Sequence, residues 1–239
     1  MRHSLIAKLI SVLLLCPLSI NSALGKNIEH KLFSNRLEKI LNQRKDDLLK
    51  DLFLQKSFNK FNQQYLDFRK KYKDAKWSIK TKNNGTNKSI LDIIITSTRE
   101  IDGQIYNLNT KQTVKIKINK NKIEDYIVIN EESILHSQNS PLIIKIIVPD
   151  KVLTGKKYEV NMIIERPLDN SLIASGIIVL KDQENMSISN EFFGIKPNQS
   201  GGLFKFIQAP LKTGSQTISA IITHPEGIYS ITKKIKVGL

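Results

Sequence analysis

At Trp77 the spacing of apolar residues changes from helical steps to every second position, and the helical spacing does not return. A helix repeats about every 3.6 residues and a strand every two. The switch therefore confines helices to the chain before Trp77 and assigns the rest to strands and turns. Residues 28–74 contain neither Gly nor Pro, and Leu32, Phe33, Leu37, Ile40, Leu41, Leu48 and Leu52 recur at steps of three and four. Beyond Lys56 the series Phe58, Phe61, Tyr65, Phe68, Tyr72 places five rings on one helix face, with Lys60, Gln63, Asp67, Lys70, Lys71 and Asp74 on the other. A break near residues 55–57 is expected to divide the helical stretch in two.

Strands are expected at 77–80, 90–98, 104–109, 113–118 and 123–135, separated by turns at Asn83-Asn84-Gly85, 100–103 and 119–122. Helices followed by an antiparallel meander make an α+β domain, since a helix laid across one sheet face buries both apolar surfaces. The polar run His136-Ser137-Gln138-Asn139-Ser140-Pro141 then marks a boundary. Beyond it, seven short strands are expected at 142–148, 157–165, 172–180, 186–193, 202–208, 216–223 and 228–237. Turns at Thr154-Gly155, 167–170, 200–202, Thr213-Gly214 and 224–227 separate them. The expected order is residues 26–137 as amphipathic helices on a four- to five-stranded antiparallel sheet, a linker at 138–141, and an all-β immunoglobulin-like sandwich over 142–239.

The second half resembles the immunoglobulin-like and fibronectin-III-like modules of secreted bacterial proteins. The resemblance rests on Val152-Leu153-Thr154-Gly155-Lys156-Lys157-Tyr158 entering a strand, and on Gly202-Leu203-Phe204 followed by Pro210, Gly214 and a closing hairpin at Gly227. It departs from antibody domains in lacking the Cys pair and the buried Trp. Residues 30–137 resemble NTF2-like and cystatin-like α+β domains in their helix-then-sheet order, with Trp77 opening the sheet. That resemblance implies an apolar pocket between helix and sheet, used by some members for catalysis and by many for binding. No family motif is matched, so no catalytic residue is carried over.

Export is expected from the first 25 residues. Arg2 and Lys8 precede an apolar run over 9–18, and Ala23 and Gly25 form a small-residue cleavage site after Gly25. The alternatives are an uncleaved anchor and a lipoprotein, the latter opposed by Leu15 before Cys16. Cleavage after Gly25 removes Cys16, the only Cys, and with it any disulfide, thiolate nucleophile or Cys-based metal site. Asn84, Asn87, Asn185 and Asn198 head Asn-x-Ser/Thr sequons, which matter only for a eukaryotic secreted protein; the Lys-, Ile- and Asn-rich composition favours a bacterial one.

His3, His30, His136 and His224 do not stand at metal-ligand spacing, and no Gly-x-Ser-x-Gly, phosphate-binding loop or dinucleotide fingerprint occurs. No cofactor, metal or nucleic acid is expected. The formal net charge of +15 directs attention to anionic partners, although a solvated surface in a Lys-, Ile- and Asn-rich chain is the favoured explanation. Arg69, Lys70, Lys71, Lys73 and Lys76, at the end of the aromatic helix, are the candidate anion-binding cluster. Their structural alternative is a favourable interaction with the helix dipole. Lys80 with Lys82, and Lys115 with Lys117, are candidates for a basic stripe; the alternative is that alternating Lys protects edge strands from aggregation.

The leading expectation is an exported, non-enzymatic binding or assembly protein of the bacterial envelope, periplasmic or extracellular, which contacts a protein partner through its immunoglobulin-like half. An alternative is an enzyme or small-ligand binder, with Phe58, Phe61, Tyr65 and Trp77 walling a helix–sheet pocket and Asp92 or Glu124 inside it. A further alternative is peripheral attachment to an anionic membrane through the basic end of the helix at Arg69–Lys76.

Overall fold

The structure is a computed structural model and describes residues 20–82, 88–139, 142–165, 172–180, 194–198, 201–225 and 227–238. Residues 1–19, the turn at Asn83-Asn84-Gly85, the turn at 167–170, the strand expected at 186–193, and Asn84, Asn87 and Asn185 lie outside the described residues.

Helix α1 (Ile20–Gln43) runs through the expected cleavage point after Gly25. It ends where Arg44 turns left-handed at φ 54°. The Arg44 amide donates to Leu41 O at 3.3 Å and the Lys45 amide to Ile40 O at 3.2 Å, a Schellman closure with Arg in the place Gly usually holds. A short helix α2 (Asp46–Leu49) and a 3-10 turn (Lys50–Leu52) follow, then α3 (Gln55–Lys71). The helical stretch thus breaks at 44–45 as well as at 53–54. The second break arises because Leu49 and Leu52 are drawn fully into the core and Phe53 forms a bridge beside Ile123. The Leu54 amide and the Ser57 hydroxyl both donate to Ile123 O, at 2.9 and 2.6 Å, anchoring the start of α3 to the sheet.

Four long strands form the first sheet segment: β1 (Lys76–Lys82), β2 (Lys88–Ile101), β3 (Gln104–Asn119) and β4 (Lys122–Ser137). The strands expected at 104–109 and 113–118 are one strand, which runs through residues 110–112; Thr110 is buried and pairs its hydroxyl with that of Ser133 at 2.8 Å. The hairpin turns Asp102-Gly103 and Lys120-Asn121 carry positive φ at both positions (51° and 77°, 48° and 59°), as the right-handed twist of the strands requires.

The remaining strands are β5 (Ile144–Ile147), β6 (Lys151–Val152), β7 (Lys157–Ile164), β8 (Ile173–Leu180), β9 (Lys196–Asn198), β10 (Gly202–Gln208), β11 (Gly214–His224) and β12 (Gly227–Val237). The two-residue β6 and three-residue β9 were not anticipated. They form two layers. One is a three-stranded sheet in the order β10-β7-β5. The other continues the first segment in the order β1-β2-β3-β4-β12-β11-β8-β9, with β6 parallel to the end of β12. The expected four- to five-stranded sheet is therefore not a separate sheet. β4 is paired to β12 from Tyr229↔His136 to Lys234↔Glu131, so backbone hydrogen bonding crosses the polar segment that divides the two halves of the sequence. The unpaired side of a 16-residue β4 needs partners for its backbone groups, and β12 supplies them.

The apolar core changes face along this sheet. At one end Trp77, Ile79, Leu91, Ile95, Val114, Ile116 and Ile123 face α1 and α3. At the other, Ile218, Ala220, Ile222, Ile231 and Ile235 face Tyr158, Val160, Met162 and Leu203 of the three-stranded sheet. Because side chains alternate across a strand, the helical layer and the small sheet lie on opposite faces. Where β3, β4, β12 and β11 pass between them, the face away from the small sheet carries the row Thr110, Ser133, Thr232, Ser219. Its outer pairs are bonded at 2.8 and 2.9 Å.

Candidate binding surfaces

The aromatic series of α3 meets the sheet as a packed stack. Phe61 stacks on Phe53 with ring centroids 4.7 Å apart and on Tyr65 at 5.5 Å; Tyr65 lies 6.1 Å from Trp77, and Phe68 meets Trp77 edge-on at 5.8 Å. Phe58 packs against Phe53 at 6.3 Å. The four residues expected to wall a pocket are brought together, and they occupy the helix–sheet interface with their own rings. Tyr65 and Trp77 are only 5% and 8% exposed. Asp92 is not among them. It lies on the opposite sheet face, paired with Lys82 at 2.6 Å and accepting from Thr113 Oγ1 at 3.0 Å; the Lys82 hydrogen bond, outweighing a smaller desolvation effect, holds its carboxyl below the usual range. Glu124 is likewise held outside the interface, by Lys117 at 2.8 Å.

Of the basic cluster, Arg69 is set apart. Its guanidinium lies 4.2 Å from the Trp77 ring centroid. Nε donates to Tyr65 Oη at 3.0 Å, Nη1 to Ala75 O at 3.3 Å, and Nη2 to Leu41 O at the end of α1. Tyr65 in turn donates to Asp46 Oδ1 at 2.7 Å. Burial pushes the Tyr65 hydroxyl up, partly offset by Arg69 and reinforced by Asp46. Arg69 therefore clamps α3 to α1 and to the β1 approach, and its planar fork of donors is directed at protein acceptors. Lys70 pairs with Asp67 at 3.4 Å, while Lys71, Lys73 and Lys76 are exposed.

The basic stripe does form. The pairings Lys80↔Asp92↔Thr113, Lys82↔Ile90↔Lys115 and Ser78↔Ile94↔Lys111 place Lys76, Lys80, Lys82, Lys111, Lys115 and Lys117 on one face, the face away from the helices. All six are exposed, and the exposed Ile94 and Ile127 lie among them.

The edge of this sheet at β1 is closed by α1. Asn42 Nδ2 donates to Trp77 O and Asn42 Oδ1 accepts from the Trp77 amide, both at 2.8 Å, while Glu38 Oε2 accepts from the Ile79 amide at 2.6 Å. Residues four apart on a helix thereby meet residues two apart on a strand. At the joint between the halves Lys233 is buried, 9% exposed in its side chain, and contacts Glu132 at 3.2 Å, Asp150 at 2.7 Å and Val148 O at 3.1 Å. Desolvation lowers its affinity for the proton, but the hydrogen bonds to Asp150 and Glu132 outweigh this and raise it.

Two residues absent from the sequence-based candidates stand out. Phe204 and Phe206 of β10 are 50% and 72% exposed. The available signal was the run Leu203-Phe204-Lys205-Phe206-Ile207, in which apolar residues occupy both parities of one strand and a charge takes an inward position.

Among the described residues no helix is long and apolar enough to cross a membrane, and no cluster of His, Cys, Asp or Glu could hold a metal ion. No curated protein matches the chain. Residues 139–238 match a family described as "Domain of unknown function (DUF8623)".

Proposed function

We propose that the chain is an exported, non-enzymatic binding or assembly protein of the bacterial envelope, whose second half is an immunoglobulin-like domain used for contact with a protein partner. The observation carrying this reading is the strand order. A three-stranded sheet β10-β7-β5 faces β12-β11-β8-β9, and β6 runs parallel to β12. This is the arrangement expected of an immunoglobulin or fibronectin-III sandwich, a scaffold that presents edges and loops. The bonds that hold Asp46, Asp92, Glu124 and Glu132 to neighbouring side chains give these carboxylates structural roles, which also supports binding over catalysis. Export is supported by the charge, apolar run and small residues of 1–25. The test is recovery of the protein from its native host after cross-linking. A chain beginning at Lys26 in the envelope fraction, linked to one stoichiometric protein after a high-salt wash, is expected. A full-length cytoplasmic chain, or recovery of anionic lipid alone, contradicts the proposal.

The exposed lysine face favours a second reading, attachment to an anionic surface, in which Lys76, Lys80, Lys111 and Lys115 contact head groups around Ile94 and Ile127. Co-sedimentation with phosphatidylserine vesicles that falls steeply with salt supports it; binding indifferent to lipid charge removes it.

A further inference from the structure

We propose that the open edge of β10 takes up, as an added strand, an extended segment of a second protein bearing a carboxylate opposite Lys205 and apolar residues opposite Phe204 and Phe206. This inference rests on the binding reading above.

Among the described residues β10 ends the order β10-β7-β5 and is an edge. Gly201 O accepts from the Ile164 amide and the Ala209 amide donates to Lys156 O, both at 2.9 Å. In an antiparallel ladder, alternate residues direct both backbone groups to the partner strand. Residues 203, 205 and 207 therefore bond to β7, while Phe204 and Phe206 direct their N–H and C=O outward. The edge closes at Gln208, whose carbonyl accepts from Gln216 Nε2 at 3.3 Å and whose side chain donates to Gly155 O.

Among the described residues the other sheet edges are managed. β1 is covered by Asn42 and Glu38, β9 is three residues long and contains Pro197, and β5 has four residues. β10 has seven, and it alone among these edges presents two exposed rings. Exposed backbone donors flanked by apolar side chains are what strand addition requires.

The charge selects the occupant. Lys205 lies on the core-facing parity between the buried Leu203 and Ile207, yet it is exposed and carries no ion pair among the described residues. In an antiparallel pairing of two copies centred there, Lys205 would face Lys205, and like charges directly opposite are destabilising. The net charge of +15 adds to this repulsion. A foreign strand with Asp or Glu at that position gains a cross-strand ion pair instead.

The probe is the synthetic peptide Thr-Val-Thr-Val-Asp-Val-Thr-Val-Thr, added to isotopically labelled protein and followed by backbone amide resonances and hydrogen exchange. Shifts and protection confined to the Phe204 and Phe206 amides are expected. Replacing the central Asp by Lys should weaken binding about tenfold, as an opposite-charge pair becomes a like-charge pair. Lys205→Glu should invert that preference. Phe206→Pro removes an outward N–H without touching the β7 ladder, so it should leave the fold intact and abolish binding. Absence of protection at saturating peptide, undiminished binding by Phe206→Pro, or a peptide-free dimer paired through β10 overturns the proposal. A native cross-linked partner whose contacts fall on other strands overturns the β10 site alone and leaves the binding reading standing.

Discussion

Lys233 of β12 and Glu132 of β4 are direct partners in the ladder joining the two halves, with the ammonium 3.2 Å from the carboxylate. Asp150 and Val148 O complete the shell from the loop that precedes β6, so one side chain fastens three segments. Lys233→Ala removes the charge and the packed stem together and should destabilise the protein by about 2 kcal/mol. This is less than the loss at a fully buried pair, because Asp150 is largely exposed. Since the folded environment raises the Lys233 pKa, its contribution is present in full below the unfolded-state value and is lost as pH rises through the folded one. Urea titrations should therefore show the gap between variant and parent widest at neutral pH and narrowing in strongly alkaline solution to the part due to the lost stem.

Glu131 has a pH dependence of the same sign in a lower pH range, but there the charged form is the one the fold disfavours. Burial raises its carboxyl, and the hydrogen bond from Gln112 and the charge of Lys234 offset this only in part. A raised acid favours the protonated folded state, so the group's contribution falls as pH rises above the ordinary carboxylate range. Glu131→Gln should stabilise the protein at neutral pH by about 0.5–1 kcal/mol and have little effect at pH 4. The denaturation midpoints of parent and variant at the two pH values check this.

Arg44 occupies the left-handed closing position of α1 at φ 54°. Gly tolerates that conformation without the Cβ clash, so Arg44→Gly should raise stability by about 0.5–1 kcal/mol, read as a higher urea midpoint with an unchanged slope.

Arg69 and its lysine neighbours should separate cleanly. Arg69→Lys cannot reach Tyr65, Ala75 and Leu41 together and should cost about 1–2 kcal/mol. The triple variant Lys71→Ala, Lys73→Ala, Lys76→Ala should leave thermal unfolding unchanged within about 0.5 kcal/mol.

The strands beginning near Trp77, Lys157, Gly202 and Gly227 were legible because alternation and turn chemistry are local. The β4–β12 pairing was not: alternation tells which face a residue takes but not which strand lies beside it, and Glu132 and Lys233 are a hundred residues apart in the chain. The end of α1 was hidden because Arg44 stands where a Gly would have announced the turn. Within the basic cluster, charge alone could not separate Arg69 from its neighbours. The distinction lies in its position four residues after Tyr65 and one turn from Trp77 in space, a relation set by packing. The continuity of β3 through residues 110–112 shows the same limit, since the buried Thr110 is held by the Ser133 hydroxyl of a neighbouring strand.

The most direct measurement uses His136 and Tyr229, direct partners across β4 and β12 with rings stacked 5.9 Å apart. In the chain carrying Cys16→Ser, the double variant His136→Cys, Tyr229→Cys should oxidise quantitatively to an intramolecular disulfide, with each single variant remaining a monomeric thiol. A folded double variant that stays a dithiol under mild oxidant would contradict the joined sheet.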